Sequence, residues 1–90
     1  MAIELVEAYV LLRIAHKRDM CGFARSVVEK IVKMKEVKEA DLLFGEYDAI
    51  VHLSANKIHD VENLVVEEMA LIDGVESTVT LLCVDEQILK

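Results

Sequence analysis

Apolar residues recur along this chain of 90 residues with two periods, one of about two and one of three to four. Residues 8–15 (AYVLLRIA) are dense in large and β-branched side chains and predict a first strand. On its pleat Tyr9, Leu11 and Arg13 share one face, and Val10, Leu12 and Ile14 share the other. HKRDMCG then breaks the pattern as a polar loop. Over residues 23–34, Phe23, Val27, Val28, Ile31, Val32 and Met34 return at helical spacing, with Arg25, Glu29, Lys30 and Lys33 outside the stripe. Lys30, Lys33 and Lys35 cluster at the end of this helix, where cations complement its dipole. Two strand-like runs, residues 38–44 and 48–53, flank Gly45 and Glu46. A Gly-X pair between apolar runs predicts a type II′ hairpin, because glycine takes the first central position without strain. Asn56 is the expected N-cap of a second helix. That helix carries Ile58, Val61, Leu64, Val65, Met69 and Ile72, runs to about Leu71 and is ended by Asp73 and Gly74. Residues 75–84 (VESTVTLLCV) predict the last strand, and residues 85–90 a mobile or partner-dependent tail.

The order is βαββαβ, the ferredoxin-like α+β arrangement. Right-handed crossovers give a four-stranded antiparallel sheet in the order 4-1-3-2 with both helices on one face. The Gly45–Glu46 turn, the polar loop and the start of the last strand then share one end of the sheet. Helices on one face leave the other open, yet the strands are apolar on both sides. If Val10, Leu12, Ile14, Ala49, Val51 and Leu81 point inward, then Leu11, Ile50, Leu82 and Val84 point away. An apolar face of that extent calls for a cover. A second copy packed face to face supplies one, as in a dimeric α+β barrel. The expected dimer interface is Leu11, Ile50, His52, Leu82 and Val84.

Composition bounds the function. Ninety residues predict a single domain over residues 1–90, small enough for oligomerisation to be a natural source of stability. The net charge of −7 disfavours direct nucleic-acid binding, which needs cations to displace counterions. The charge is also uneven: residues 1–38 carry +3 and residues 39–90 carry −10. That suits either pairing between subunits or two solvated faces. No apolar run approaches a membrane span of roughly 18–20 residues, and the acidic start is unlike a signal peptide. With two cysteines there is no disulfide framework, so a cytoplasmic protein is expected.

VKEADLLFGEYDAIVHL (residues 37–53), followed about twenty residues later by IDGVESTVTLLCV, resembles the ligand-binding half of the leucine-responsive/AsnC (Lrp/AsnC) regulators, the RAM domain. The matching positions are Val37, Glu39 and Ala40 before the hairpin, Gly45, Tyr47 and Asp48 in it, and Gly74, Val75 and Thr78 at the last strand. The likeness spans roughly residues 7–84. Two departures stand out. Asp73 replaces the usual proline, and six or so residues before the first strand leave no room for the helix-turn-helix domain of the regulators. The expectation is therefore a stand-alone RAM domain. The resemblance implies homodimers through the sheet, their assembly into rings, and amino-acid effectors bound between dimers near the hairpin. A full-length regulator of the family is a further expected partner.

The candidate ligand site follows from that resemblance. An α-amino acid presents an ammonium and a carboxylate, and a turn with free N–H groups beside a carboxylate can hold both. Gly45, Glu46, Tyr47 and Asp48 form that turn, with Ser77, Thr78 and Thr80 adding hydroxyls at the same end. On residue types alone, Gly45 is plain turn chemistry and Asp48 a polar strand start; the resemblance is what raises them to a site. His16, His52 and His59 show no metal-ligand spacing, and His52 is placed to titrate at the dimer face. Cys21 reads as a loop thiol and Cys83 as a small core or interface residue, too far apart to pair. No catalytic residue, metal or cofactor is expected. The leading reading is a non-enzymatic sensing and assembly module. The alternative is a small cofactor-independent enzyme on the same scaffold, which would need a cleft between helices and sheet.

Overall fold

The computed structural model describes residues 5–15 and 20–83. Strands β1 (Val6–Ile14), β2 (Val37–Leu42), β3 (Ala49–Ala55) and β4 (Val75–Leu82) form one antiparallel sheet in the order β2-β3-β1-β4. Helix α1 (Met20–Ile31) links β1 to β2. Helix α2 (Ile58–Asn63) continues directly as a π-helical segment, Leu64–Met69, before β4. The fold is ferredoxin-like α+β, with the strand order the hydrophobic periods predict. Residues 16–19, with His16, and residues 84–90, with Val84 and the expected tail, lie outside the described residues.

One core forms on one side of the sheet. Ala8, Val10, Leu12 and Ile14 of β1 and Ala49, Val51, Leu53 and Ala55 of β3 are buried against Val27, Val28 and Ile31 of α1. Val61, Leu64, Val65 and Met69 complete it from the second helical segment. Burial of each large aliphatic side chain contributes roughly 1.5–3 kcal/mol, which outweighs the modest helix propensity of the β-branched residues in α1.

The local differences from the sequence reading have identifiable causes. Helix α1 begins three residues before Phe23 and stops at Ile31. Val32 falls off the buried stripe, and a turn closed by Met34 N–H donating to the Ile31 carbonyl at 3.0 Å leads into β2. The N-cap of α2 is Lys57 rather than Asn56. Ala55 stays buried in β3, so the strand ends two residues later than expected, and no side chain caps the helix. In the π-helical segment Ala70 N–H donates to the Val65 carbonyl at 2.8 Å, a wider winding that buries Leu64, Val65 and Met69 together.

The hairpin is wider than a two-residue turn. Leu43 N–H donates to the Asp48 carbonyl at 2.8 Å, so residues 44–47 form the tip. Gly45 sits at φ +152 rather than in a type II′ position.

Two bulges set which side chains face where. In the β1–β4 ladder Arg13 pairs with Ser77 but Ile14 with Val75, leaving Glu76 as an extra residue. Counting from half-buried Val75, an unbroken strand would send Val79 and Leu81 inward. The bulge inverts that phase. Leu82 therefore lies opposite Ala8 on the helix side, and Leu81 lies opposite Tyr9 on the open face, the reverse of the expectation. A second bulge at Lys38 in β2 places Glu39 opposite His52.

Candidate functional site

Residues 13–15 at the end of β1 are the point where the hairpin tip and the start of β4 meet. From one side, Asp48 N–H donates to the Leu12 carbonyl at 2.8 Å. The Asp48 Oδ2 accepts from Ile14 N–H at 2.8 Å, so this carboxylate extends the β3–β1 ladder beyond its last residue pair. From the other side, Ala15 N–H donates to the Gly74 carbonyl at 2.7 Å. Asp48 is thus a structural acceptor before any ligand is considered. Asp48→Ala strands a half-buried N–H, and the expected cost is about 1–2 kcal/mol. Asp48→Asn keeps a carbonyl oxygen and should cost less than half as much, as read from urea midpoints. Equal loss in the two variants would contradict the acceptor role.

Above this junction stands Arg13. Its guanidinium lies 5.1 Å from the centre of the Tyr47 ring, within cation–π range, and 3.9 Å from the Glu46 carboxylate. The ion pair is loose, with the Glu46 side chain 74% exposed, so Arg13 keeps donor capacity for another carboxylate. Ser77 pairs with Arg13 across β1–β4 and shares its face. Glu46, Tyr47, Asp48 and Ser77 are therefore brought together around Arg13 and Ile14. Thr78 and Thr80 are not: they lie opposite Leu12 and Val10, on the helix side of the sheet. Arg13 escaped the sequence reading, although a lone cation on the less buried face of an apolar strand was the available signal. Phe44 escaped it as well. Its ring stands fully in solvent at the tip, beside partly exposed Leu42 and Leu43.

A second cluster lies further along the open face. Tyr9 and His52 stack with ring centres 4.6 Å apart and planes 12° from parallel. His52 Nε2 is 2.7 Å from Glu7 Oε1, and its Nδ1 is 3.8 Å from Glu39 Oε2. Lys38 Nζ donates to both Glu7 oxygens, at 3.3 and 3.5 Å. Tyr9, Glu39, Asp41, Ile50 and His52 line a shallow depression of about 100 Å³. Partial burial pushes the Glu7 carboxyl up, but the hydrogen bonds from His52 and Lys38 outweigh it and hold it below the ordinary value of 4.5. A depressed folded-state value means that this contribution is full above 4.5 and is lost as pH falls through the lower folded value. Wild type should therefore lose about 0.5 kcal/mol more than Glu7→Gln between pH 5 and 3. Urea titrations at each pH test this, and parallel pH profiles would refute it.

The apolar strip of the open face runs through Tyr9, Leu11, Ile50, Val79 and Leu81. Leu11, Ile50 and His52 lie where the sequence placed them; Val79 and Leu81 stand in for Leu82. Cys83 is exposed rather than in the core, and His59 is exposed on α2. Among the described residues no group of three or more His, Cys, Asp or Glu is placed to hold a metal ion. No helix among them is long and apolar enough to cross a membrane.

Residues 7–88 match the Lrp/AsnC ligand binding domain family. An uncharacterised HTH-type transcriptional regulator of Pyrococcus abyssi is 31% identical over 78 residues, 87% of this chain and 51% of the relative. The uncharacterised HTH-type regulator YugG of Bacillus subtilis is 34% identical over 77 residues, 86% of this chain and 45% of that protein. The chain thus spans about half the length, or less, of the curated relatives it matches. Among solved structures, hypothetical protein PHS023 from Pyrococcus horikoshii is 32% identical with a TM-score of 0.76, over 90% of this chain and 92% of that one. A likeness of fold alone, at 18% identity and TM-score 0.73, joins 90% of this chain to 51% of regulator NMB0573 from Neisseria meningitidis, solved as its L-Met complex.

Proposed function

The chain belongs to the Lrp/AsnC ligand-binding domain family, and we propose that it is a non-enzymatic module that senses a small amino acid and assembles through its sheet. Two copies pair by their open faces, and the ligand binds where the hairpin tip of one copy meets a neighbour. The observation that carries this reading is the junction at Arg13. A guanidinium held by a loose pair to Glu46 and by the Tyr47 ring can take a ligand carboxylate, with Glu46 swinging aside. Asp48, anchored on Ile14 N–H, brings a carboxylate to the same junction, the group type that pairs with an ammonium. Phe44, wholly exposed at the tip, fits a role at a contact between copies better than a role in solvent. The space between helices and sheet, which an enzyme of this architecture would hollow out, is filled by aliphatic side chains.

Effector binding shifts assembly only by its differential affinity for the assembled states. Co-assembly with a full-length regulator of the family, through the same sheet face, is the route by which the signal would reach DNA. The test is thermal shift and calorimetry against the twenty amino acids, beginning with L-methionine because the Neisseria regulator was solved with it. A ligand at 100 times its Kd stabilises by about 2.7 kcal/mol, so a shift of several degrees is expected, and Arg13→Gln should abolish it. Silence from all twenty at millimolar concentration would remove the ligand from this reading. A stable monomer by light scattering would remove the assembly.

A further inference from the structure

Both ring nitrogens of His52 face carboxylates. Nε2 is 2.7 Å from Glu7 and Nδ1 is 3.8 Å from Glu39. A carboxylate only accepts, so serving both requires two N–H donors, which imidazole has only as the cation. In the free chain the Glu39 side chain is 70% exposed, so water can serve its carboxylate. The groups around the ring come from two strands. Strand β1 supplies Glu7 and the stacked Tyr9; strand β2 supplies Lys38, Glu39 and, across the same depression, Asp41. Three carboxylates thus surround one imidazole and one ammonium. The Tyr9 ring lies on the face of the imidazole, where a cation is favoured.

This cluster adjoins the apolar strip of Tyr9, Leu11, Ile50, Val79 and Leu81, so a second copy seated there would drive water from it. We propose that pairing of two chains through this face is proton-linked, with each His52 taking up a proton as the sheets close. The inference rests on the assembly reading above and adds its regulation. Desolvation alone would favour the neutral ring. Here the loss of screening strengthens two close carboxylates at once, and they prevail over Lys38, which is already held on Glu7. A histidine whose protonation is favoured in the pair stabilises pairing at low pH, and that stabilisation fades as pH rises through its value in the pair.

The experiment is sedimentation equilibrium of the whole chain from pH 8 to pH 6, the range around ordinary imidazole titration. Wild type should associate several tens of times more tightly at pH 6 than at pH 8, because each of the two histidines in a pair binds its proton about one unit more tightly, up to about 10-fold apiece. His52→Gln and Glu39→Gln should flatten the profile. Histidine NMR titration of wild type, below and above the association concentration, reads the same linkage without a variant. The His52 midpoint should rise on association. An unchanged or lowered midpoint, or a His52→Gln slope equal to that of wild type, overturns the linkage while leaving the assembly standing. A monomer at every pH overturns both.

Discussion

Gly74→Ala is expected to lower the unfolding free energy by about 2–6 kcal/mol, a large share of what a domain of this size has. Two costs add. Gly74 sits at φ +104, where a side chain costs roughly 1–3 kcal/mol. A Cβ there would also overlap Cζ and Cε2 of Phe23, whose ring packs against the core. Forcing that ring aside costs roughly 1–3 kcal/mol more. The backbone has little room to yield, because the Gly74 carbonyl accepts from Ala15 N–H and the turn is closed by Val75 N–H on the Ile72 carbonyl. Urea denaturation followed by circular dichroism measures the loss. Combining Gly74→Ala with Phe23→Leu should recover part of it, the overlap but not the strain. A loss below about 1 kcal/mol would mean the turn rearranges freely. The same experiment bears on function, since Gly74 holds one side of the junction beneath Arg13.

The second large effect is on assembly. Leu11→Asp should weaken self-association at least 100-fold, about 2.7 kcal/mol, while shifting the urea midpoint little. Leu11 lies at the centre of the open-face strip, opposite Ile50 on one side and Val79 on the other. In a two-fold pairing the substitution appears twice, burying two carboxylates between chains that each already carry −7. The helix-side core is untouched, so folding and association separate cleanly. Sedimentation velocity reads the outcome, and an unchanged dimer would place the interface elsewhere.

Much of the fold was legible in the sequence because burial imposes periods. Residues 8–14 are dense in large and β-branched side chains, and Val27, Val28, Ile31, Val61, Leu64, Val65 and Met69 mark the helix stripes. What stayed illegible is what the periods do not encode. A bulge leaves no trace in composition, so the faces of Leu81 and Leu82 came out reversed. The start of α2 at Ile58 depends on where the sheet releases the chain rather than on a capping side chain. Topology did bring the hairpin tip and the start of β4, with Ser77, to one end of the sheet. Arg13 and Phe44 stand out only in the structure, since one meets residues distant in sequence and the other is marked by its exposure.

The bulge at Glu76 bears on how such a domain can diverge. Because strand side chains alternate, a single residue inserted or deleted there exchanges every side chain beyond it between the two faces. Losing one residue at that point would withdraw Val79 and Leu81 from the outside of the sheet and present threonines there instead. A lineage could thus change whom its members associate with by a change in loop bookkeeping, leaving the buried half of β1 and β3 as it was. Partner choice in this architecture is then open to alteration by indels as well as by substitution.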